Sequence, residues 1–280
     1  MPVPNYLGVN PDIYNNDNEI QYIETIADLH GGAKFSVIGN TYSMDILRER
    51  LEKSLNQTIK FVQEKQLSRI SVLSLGDIVQ GMLRVSDVKL NEKWVSDALV
   101  FVMRLMADYL NKLSAYCYVD FYQVCFSNHD QPRMLGTKAN ELAGEDLGKI
   151  FFAYITDILS NNDRVKVIGD TENNCLEFNF AGFDCIALHG HTVSNLKTLS
   201  KDLSAHYRKF YDYVFVGHTH SAQIFTNEAG DEYDMETIVS SSVVGIDPYA
   251  DKLLVGSKPS VQILGFHKTY GHVETKKIIL

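Results

Sequence analysis

The stretch YVFVGHTH, residues 213–220, ends an apolar run with two histidines that lie one residue apart. Its unbroken apolar start is typical of a strand that is buried on both faces. Two imidazoles at positions i and i+2 of such a strand would share one apolar face and spoil it, so His218 and His220 need another purpose. The stretch therefore predicts a buried strand whose end carries polar ligands.

Four other apolar runs of strand length end in the same way. They are 20–27, 70–75, 119–126 and 185–190, and they stop at Asp28-Leu29-His30, Gly76-Asp77, Asn128-His129-Asp130 and His189. Helical periodicity separates the runs, and it predicts helices over 43–62, 99–113, 139–159 and 194–208. Alternating strands and helices favour a largely parallel sheet with helices packed over it.

The segment after residue 220 differs, because it is rich in strand and turn signals such as NEAGDEY and KTYGH. We expect it to complete a second sheet with antiparallel strands. No linker stands out along the chain. The sequence therefore predicts an α/β fold, a two-sheet β-sandwich flanked by helices, formed by a single domain over residues 1–280.

Composition narrows the class of protein. The chain has 280 residues, of which 45% are hydrophobic, and it can bury a substantial core. Lysine and arginine number 26 against 35 acidic residues, for a net charge of −9. Such a surface does not by itself attract nucleic acid or an anionic membrane. No apolar run approaches the roughly 20 residues that span a bilayer, so we expect no membrane partner.

Two further features predict a cytoplasmic protein. The start MPVPNYLGVNPD has neither a basic patch nor an apolar core, so no secretory signal is visible. The four cysteines, Cys117, Cys125, Cys175 and Cys185, form no C-x-x-C pair. We interpret them as reduced, buried, structural thiols.

The polar strand ends form the candidate site, because ligands of such folds gather beyond the carboxyl ends of the strands. Taken singly, each motif has an ordinary alternative as a turn or a helix cap. Taken together, they place several carboxylates and imidazoles at one rim, where the carboxylates would repel each other without a cation. Imidazole and carboxylate ligands without thiolate suit Mn²⁺, Fe²⁺, Zn²⁺ or Ni²⁺. The sequence therefore predicts a metal centre.

The motifs D-x-H, G-D, N-H-D, H and G-H-x-H, in this order between residues 20 and 225, resemble the signature of the calcineurin-like metallophosphoesterase superfamily. The chain resembles its compact, DNA-repair-exonuclease-like bacterial or phage type. The resemblance implies a four-layer α/β/β/α fold and two adjacent metal ions, Mn²⁺ above all. It assigns the first ion to Asp28, His30, Asp77 and His220, and the second to Asp77 (bridging), Asn128, His189 and His218.

The activity that the resemblance implies is metal-dependent hydrolysis of phosphoesters. Two ions about 3.5–4 Å apart would activate a bridging water for in-line attack on phosphorus. By resemblance, His129 faces the leaving oxygen as general acid, and we expect Asp130 to orient its imidazole. The substrates expected are phosphodiesters of nucleotides or nucleic acid. A phosphomonoesterase and a non-catalytic scaffold on the same fold are the alternatives.

Several residues leave questions open. Ser127 replaces the glycine that usually precedes N-H-D, and we expect little change from it. Gln80 stands where family members often carry an acid or glycine, which would alter the substrate face or the surroundings of the ligands. His191 competes with His189 for the fourth motif, and we assign His189 because it directly follows the apolar run. Arg133 is a candidate phosphate contact, although exposed loop arginines are more often solvated.

Overall fold

The computed structural model describes residues 1–6, 10–13, 19–132, 137–138, 141–142, 144–254 and 256–280. Within these residues the strands are β1 Ile20–Ile26, β2 Phe35–Val37, β3 Asn40–Tyr42, β4 Arg69–Ser74, β5 Tyr118–Val124, β6 Val165–Asp170, β7 Leu176–Phe180, β8 Phe183–Leu188, β9 Tyr213–Val216, β10 Gln223–Ala229, β11 Asp234–Val239, β12 Ser260–His267 and β13 Gly271–Ile279. The helices are α1 Met44–Lys65, α2 Val85–Val88, α3 Val95–Leu113, α4 Leu147–Ile158, α5 Leu199–Tyr207 and α6 Pro248–Leu253, and a 3₁₀ turn lies at Pro11–Ile13.

The strands form two large sheets and a small hairpin. The first sheet has the order β13-β12-β1-β4-β5-β6, and β1, β4, β5 and β6 are parallel. The second has the order β10-β11-β9-β8-β7, in which β9 is parallel to both of its neighbours. The hairpin consists of β2 and β3. The carboxyl ends of β1, β4 and β5 therefore meet at one edge of the first sheet.

The two sheets pack face to face and helices cover their outer sides. Ile23, Leu73 and Phe215 belong to the buried cluster between the sheets. A second cluster joins the first sheet to α1, α3 and α4, and a third places Leu199 of α5 on the second sheet. This arrangement of helix, sheet, sheet and helix confirms the predicted fold class. The unbroken apolar runs are explained by burial on both faces of their sheets.

The structure corrects the interpretation of the last strands. β10 and β11 do complete the second sheet, although β11 lies parallel to β9 rather than antiparallel, but β12 and β13 return to the first, where β12 lies antiparallel to β1. β12 is apolar on both faces. Val261 packs in the cluster under the helices, whereas Leu264 and Phe266 pack between the sheets. Such a strand is stable only inside a sheet that is covered on both sides.

Helix boundaries also differ from those expected. The helix predicted over 139–159 begins at Leu147, because the Asp146 side chain accepts a hydrogen bond from the Gly148 N–H and caps it. The helix predicted over 194–208 begins at Leu199. All four cysteines are buried and free. Among the helices of the described residues, none combines the length and the apolar character needed to span a membrane.

A buried glutamate connects β1 to the helix layer. Glu24 lies in the middle of β1 and is fully buried. Its Oε1 accepts hydrogen bonds from Ser54 at 2.8 Å and Thr58 at 3.0 Å, both on α1, and its Oε2 accepts one from Tyr109 of α3 at 2.7 Å. Burial raises the pKa of Glu24 to about 7, although these hydroxyl donors favour the charged form.

We expect Glu24→Gln to change how stability depends on pH. A raised pKa means that the folded state binds the proton more tightly than the unfolded state does. The contribution of this proton to the free energy of unfolding is therefore complete below about pH 4.5 and is lost as the pH rises through about 7. Glutamine cannot ionise. Between about pH 4.5 and pH 7, the free energy of unfolding of the variant should therefore rise relative to that of the wild type by up to about 3 kcal/mol, at about 1.4 kcal/mol per pKa unit. Urea unfolding at several pH values measures this difference, and a constant difference would contradict it.

Candidate functional site

All five polar motifs meet at one rim between the sheets. Asp28 and His30 follow β1, Asp77 follows β4, and Asn128 and His129 follow β5 in the first sheet. From the second sheet, His189 follows β8, and His218 and His220 follow β9. Three sets of these side chains have ligand atoms that all lie within 4.8 Å of one another. One consists of Asp28, His30 and His220, another of Asp77, His189 and His218, and a third, which overlaps both, of His30, Asp77 and His129. The structure thus brings together the predicted site residues of both sheets.

The first set consists of Asp28, His30 and His220, and all three are buried. Neither carboxylate oxygen of Asp28 has a hydrogen-bond partner among the described residues, and neither does Nε2 of His30. The Nε2 atom of His220 lies 3.5 Å from Asp28 Oδ1. Burial of a carboxylate without hydrogen bonds costs several kcal/mol, roughly, unless a cation compensates its charge. The donor set therefore fits a metal ion.

The second set consists of Asp77, His189 and His218. His189 donates from Nδ1 to the Leu75 carbonyl oxygen at 2.7 Å, since that oxygen can only accept. Its Nε2 therefore faces two further acceptors, Asn128 Oδ1 at 3.0 Å and Asp77 Oδ2 at 3.1 Å. Lone pairs that point at one another need a proton or a metal ion between them.

The Asp77 carboxylate belongs to the second set and also lies close to His30 of the first. Its Oδ2 is 3.6 Å from His30 Nε2 and 3.1 Å from His189 Nε2. Burial alone would raise the pKa of Asp77, but the neighbouring imidazoles of His189 and His129 outweigh it and hold the pKa well below its usual value. Asp77 is therefore an anion that both sets of ligands can share.

The histidines differ in the charge state that the site favours. Burial, together with the charge on His129, lowers the pKa of His30 to about 4. Burial, together with His189, lowers the pKa of His218 to about 4. For His189 burial acts in the same direction, but the Asp77 carboxylate overrides it and raises the pKa to about 9. Neutral imidazoles with a free lone pair are the form that binds metals.

The backbone at the site adopts a conformation that ordinary residues avoid. Among the described non-glycine residues, positive φ angles occur at Asp28 (56°), His30 (44°), Asp77 (50°), His218 (67°) and His220 (56°), besides four positions elsewhere. Asp and His tolerate this left-handed region better than most residues, but they occupy it at a cost. The surrounding packing therefore imposes the conformation that aims these side chains into one pocket.

Gly76 shows how tight the packing is. Its φ is 88°, and a Cβ atom there would lie 2.8 Å from Cβ of Ser127 and 3.1 Å from Nδ1 of His189. Only glycine combines this φ with such close neighbours. The G-D motif is thus explained by contact between the ends of two strands of one sheet and a histidine of the other.

His129 is held by the neighbouring loop. Its backbone N–H donates to Asp77 Oδ1 at 2.9 Å, and its Nδ1 donates to the Gln80 carbonyl oxygen at 2.8 Å. The remaining nitrogen, Nε2, is the one available for chemistry. We expected Asp130 to orient this imidazole, and that expectation is wrong, because the Gln80 carbonyl makes the contact instead.

Asp130 has a different task. Its carboxylate accepts hydrogen bonds from the N–H groups of Ile78 and Val79, each at 3.0 Å, and from the Ser127 hydroxyl at 2.7 Å. The same hydroxyl accepts the Asp77 N–H at 2.9 Å. Asp130 and Ser127 therefore fix the Asp77 loop relative to the His129 loop. The serine, which we expected to change little, supplies a contact that glycine cannot make.

Gln80 serves both halves of this arrangement. Its side-chain Oε1 accepts a hydrogen bond from His30 Nδ1 at 3.0 Å, which directs His30 Nε2 toward Asp28 and Asp77. Its backbone carbonyl holds His129. Partners of this kind fix the tautomer and the ring orientation of metal-binding histidines. The sequence marked Gln80 as unusual, but no local signal indicated its two contacts.

Other candidates take lesser places. The sequence pattern does not indicate Asp247 as a site residue. Its Oδ2 lies 4.0 Å from His220 Nδ1, while its Oδ1 caps α6. The ring of His191 lies 5.7 Å from that of His189, and its Nδ1 has no hydrogen-bond partner among the described residues. Tyr42 is buried and donates to the Leu29 carbonyl, so it packs in the core. Arg133 lies outside the described residues.

Comparison with known proteins gives one relative in sequence. No family model matches the chain. The SPbeta prophage-derived uncharacterized protein YonJ of Bacillus subtilis (strain 168) is 28% identical over 274 residues. The match covers 98% of this chain and 66% of YonJ, so the chain spans slightly less than two thirds of that relative's length.

Solved structures with a similar chain trace are distant in sequence. Vps29 of Entamoeba histolytica complexed with Zn²⁺ is 14% identical with a TM-score of 0.38, and the match covers 92% of this chain and 99% of Vps29. A metallophosphoesterase from Sphaerobacter thermophilus is 16% identical with a TM-score of 0.39, and the match covers 91% of this chain and 90% of that one.

The chain's own features identify the class of protein that it resembles. Two sheets packed face to face carry five ligand motifs, in the predicted order, to one rim. This arrangement confirms the predicted resemblance to the calcineurin-like metallophosphoesterase superfamily.

We predict that Gln80→Leu weakens metal binding although it removes no ligand. Without Oε1 the His30 ring loses its orientation, and loss of such a partner typically costs about 10–100-fold in metal affinity. Competition with a chromogenic chelator measures that affinity directly, without any assay of activity. Asp77→Asn serves as the reference variant, and it should lose more metal affinity than Gln80→Leu because it alters the carboxylate that both sets share.

The matched control for this prediction is Gln80→Glu. Glutamate keeps an acceptor for His30 Nδ1 and leaves the backbone carbonyl in place, so its metal affinity should not fall. Thermal melting of all variants checks that they fold. Equal metal affinities of the leucine variant and the wild type would show that Gln80 does not position His30.

Proposed function

We propose that this chain is a phosphoesterase that uses two divalent metal ions and acts on phosphodiesters of nucleotides or nucleic acid. The observation that carries the proposal is the position of the Asp77 carboxylate, whose Oδ2 lies 3.6 Å from His30 Nε2 of the first set and 3.1 Å from His189 Nε2 of the second. A single ion would not need a shared carboxylate with imidazoles on both sides. Two ions bridged by one carboxylate are a typical arrangement for phosphoryl chemistry.

The residues that would hold the ions are those that the resemblance assigns, and the observed sets support them. The first ion would take Asp28, His30, Asp77 and His220, and the second would take Asp77, Asn128, His189 and His218. Mixed nitrogen and oxygen donors suit Mn²⁺, Fe²⁺, Zn²⁺ or Ni²⁺, and the resemblance favours Mn²⁺ among them. When bound, the ions would supply positive charge against the phosphoryl oxygens and would activate water for attack.

The chain itself supplies the proton. The Gln80 carbonyl fixes Nδ1 of His129 as the donor of that hydrogen bond, so Nε2 is the atom that can hold a proton for the leaving oxygen. The hydrogen bond from the His129 N–H to Asp77 Oδ1 keeps this ring beside the shared carboxylate. Asp130 acts through the loops rather than on the proton. His129 is therefore the proposed general acid, and Asp130 is a positioning residue.

Charge around the site favours a diester over a monoester. A dianionic monoester calls for cationic side chains beyond the metal ions. Among the described residues, Lys34 lies 3.4 Å from Glu92, which offsets its charge, and Arg84, which keeps its charge, lies over the Tyr249 ring at 5.6 Å. A diester carries one negative charge, which two ions and a protonated His129 can match.

A matched pair of substrates tests the proposal. With Mn²⁺ present, bis-nitrophenyl phosphate should be hydrolysed with a higher kcat/KM than nitrophenyl phosphate. Asp77→Asn is the control that should lose both activities. A clear preference for the monoester across the pH range would favour the phosphomonoesterase instead. Tight metal binding without hydrolysis of either ester would favour a non-catalytic scaffold.

Substitution of the proposed acid separates chemistry from structure. We expect His129→Ala to keep its metal content and thermal stability but to lose roughly 10²–10⁴ in rate on poor leaving groups, the usual range for general acids. The loss should be smaller for nitrophenolate, which leaves without a proton. Equal losses on diesters with good and poor leaving groups would exclude the role of acid.

A further inference from the structure

A cavity of about 920 Å³ lies beside the site, and its wall is largely apolar. Its apolar lining includes Met82, Val88, Trp94, Pro132, Leu147 and Ile150. Trp94 is the only tryptophan of the chain, and 81% of it is exposed. Val88 and Ile150 are also exposed, at 48% and 53%. Adjoining exposed apolar side chains around a concave surface are typical of a ligand site rather than of ordinary surface.

Three parts of the cavity wall are tied to the loops of the site. Met82 follows Gln80 by two residues, and Pro132 follows His129 by three. The Leu147 N–H donates to the Asp130 carbonyl oxygen at 2.9 Å. The cavity therefore borders the loop that carries the proposed general acid.

We propose that this cavity binds the nucleoside on the leaving side of the phosphodiester, with its base against the indole of Trp94. The inference rests on the proposed function and specifies its substrate class. Stacking on an aromatic ring accepts every base, because each base has a π-face. The cavity then selects nucleotide diesters without reading a particular base.

The single tryptophan makes binding observable without catalysis. Indole fluorescence, excited at the red edge where bases absorb weakly, is titrated with nucleoside monophosphates and with ribose phosphate, with and without Mn²⁺. The nucleotides should quench the emission to saturation, while ribose phosphate should leave it unchanged. Equal quenching by ribose phosphate, or none by any nucleotide, would overturn the inference.

Calorimetry of Trp94→Leu tests the contact itself. Loss of the stacking ring should weaken nucleotide binding by about 5- to 150-fold, the range that base–aromatic stacking implies. Phe210→Leu is the matched control, because Phe210 is an aromatic residue that is 79% exposed and does not line the cavity. Unchanged affinity in Trp94→Leu, or an equal loss in Phe210→Leu, would exclude the assigned role of Trp94.

Failure of this inference and failure of the proposed function give different results. Nucleotide diesters that are hydrolysed with the same KM by wild type and Trp94→Leu would overturn the role of the cavity and leave the phosphoesterase intact. Nucleotides that quench Trp94 while no phosphoester is hydrolysed with any metal would support the cavity and overturn the phosphoesterase.

Discussion

The arrangement of the site depends on one constraint, which is that the Asp77 carboxylate is buried among imidazoles and needs compensating positive charge. Asp77 is 1% exposed, and its Oδ2 lies 3.6 Å from His30 Nε2 and 3.1 Å from His189 Nε2. Asp28 is buried with no hydrogen bond from a described residue. Such a pocket is stable only when positive charge enters it, as protons on the histidines or as metal ions. Like charges at such short distances repel each other, so the ligand loops must be packed tightly to hold them in place.

The loops resist that repulsion through a network of neutral contacts. Ser127 and Asp130 join the backbone of the Asp77 loop to the loop after β5, and Gln80 holds one ring with its side chain and another with its carbonyl. Left-handed backbone at the ligands stores strain that only a well-packed surrounding can sustain. Residues that touch no substrate therefore determine where the imidazoles point. The cavity at Trp94 borders the same loops.

Much of this could be predicted from the pattern of strand ends. Apolar runs that stop at ligand residues indicated both the parallel strands and the site, because parallel strands direct their carboxyl ends to one edge. Prediction failed for β12, because its sequence is compatible with pairing in either sheet. The sequence of β12 shows an apolar strand, but nothing local indicates that it lies antiparallel to β1 rather than in the second sheet. Sheet order depends on contacts between distant residues, and local sequence does not encode them.

The site divides in the same way. Residue type and spacing alone determined that Asp28, His30, His189, His218 and His220 are candidate ligands, because a carboxylate or imidazole keeps its chemistry in any fold. Only the tertiary structure decided which atom faces which. In the folded protein the His129 ring donates a hydrogen bond to the Gln80 carbonyl oxygen rather than to Asp130. The Asp130 carboxylate instead accepts hydrogen bonds from the backbone N–H groups of Ile78 and Val79. A hydrogen bond depends on distances of a few tenths of an ångström between residues about 50 positions apart, and only the packing of the two loops determines such distances.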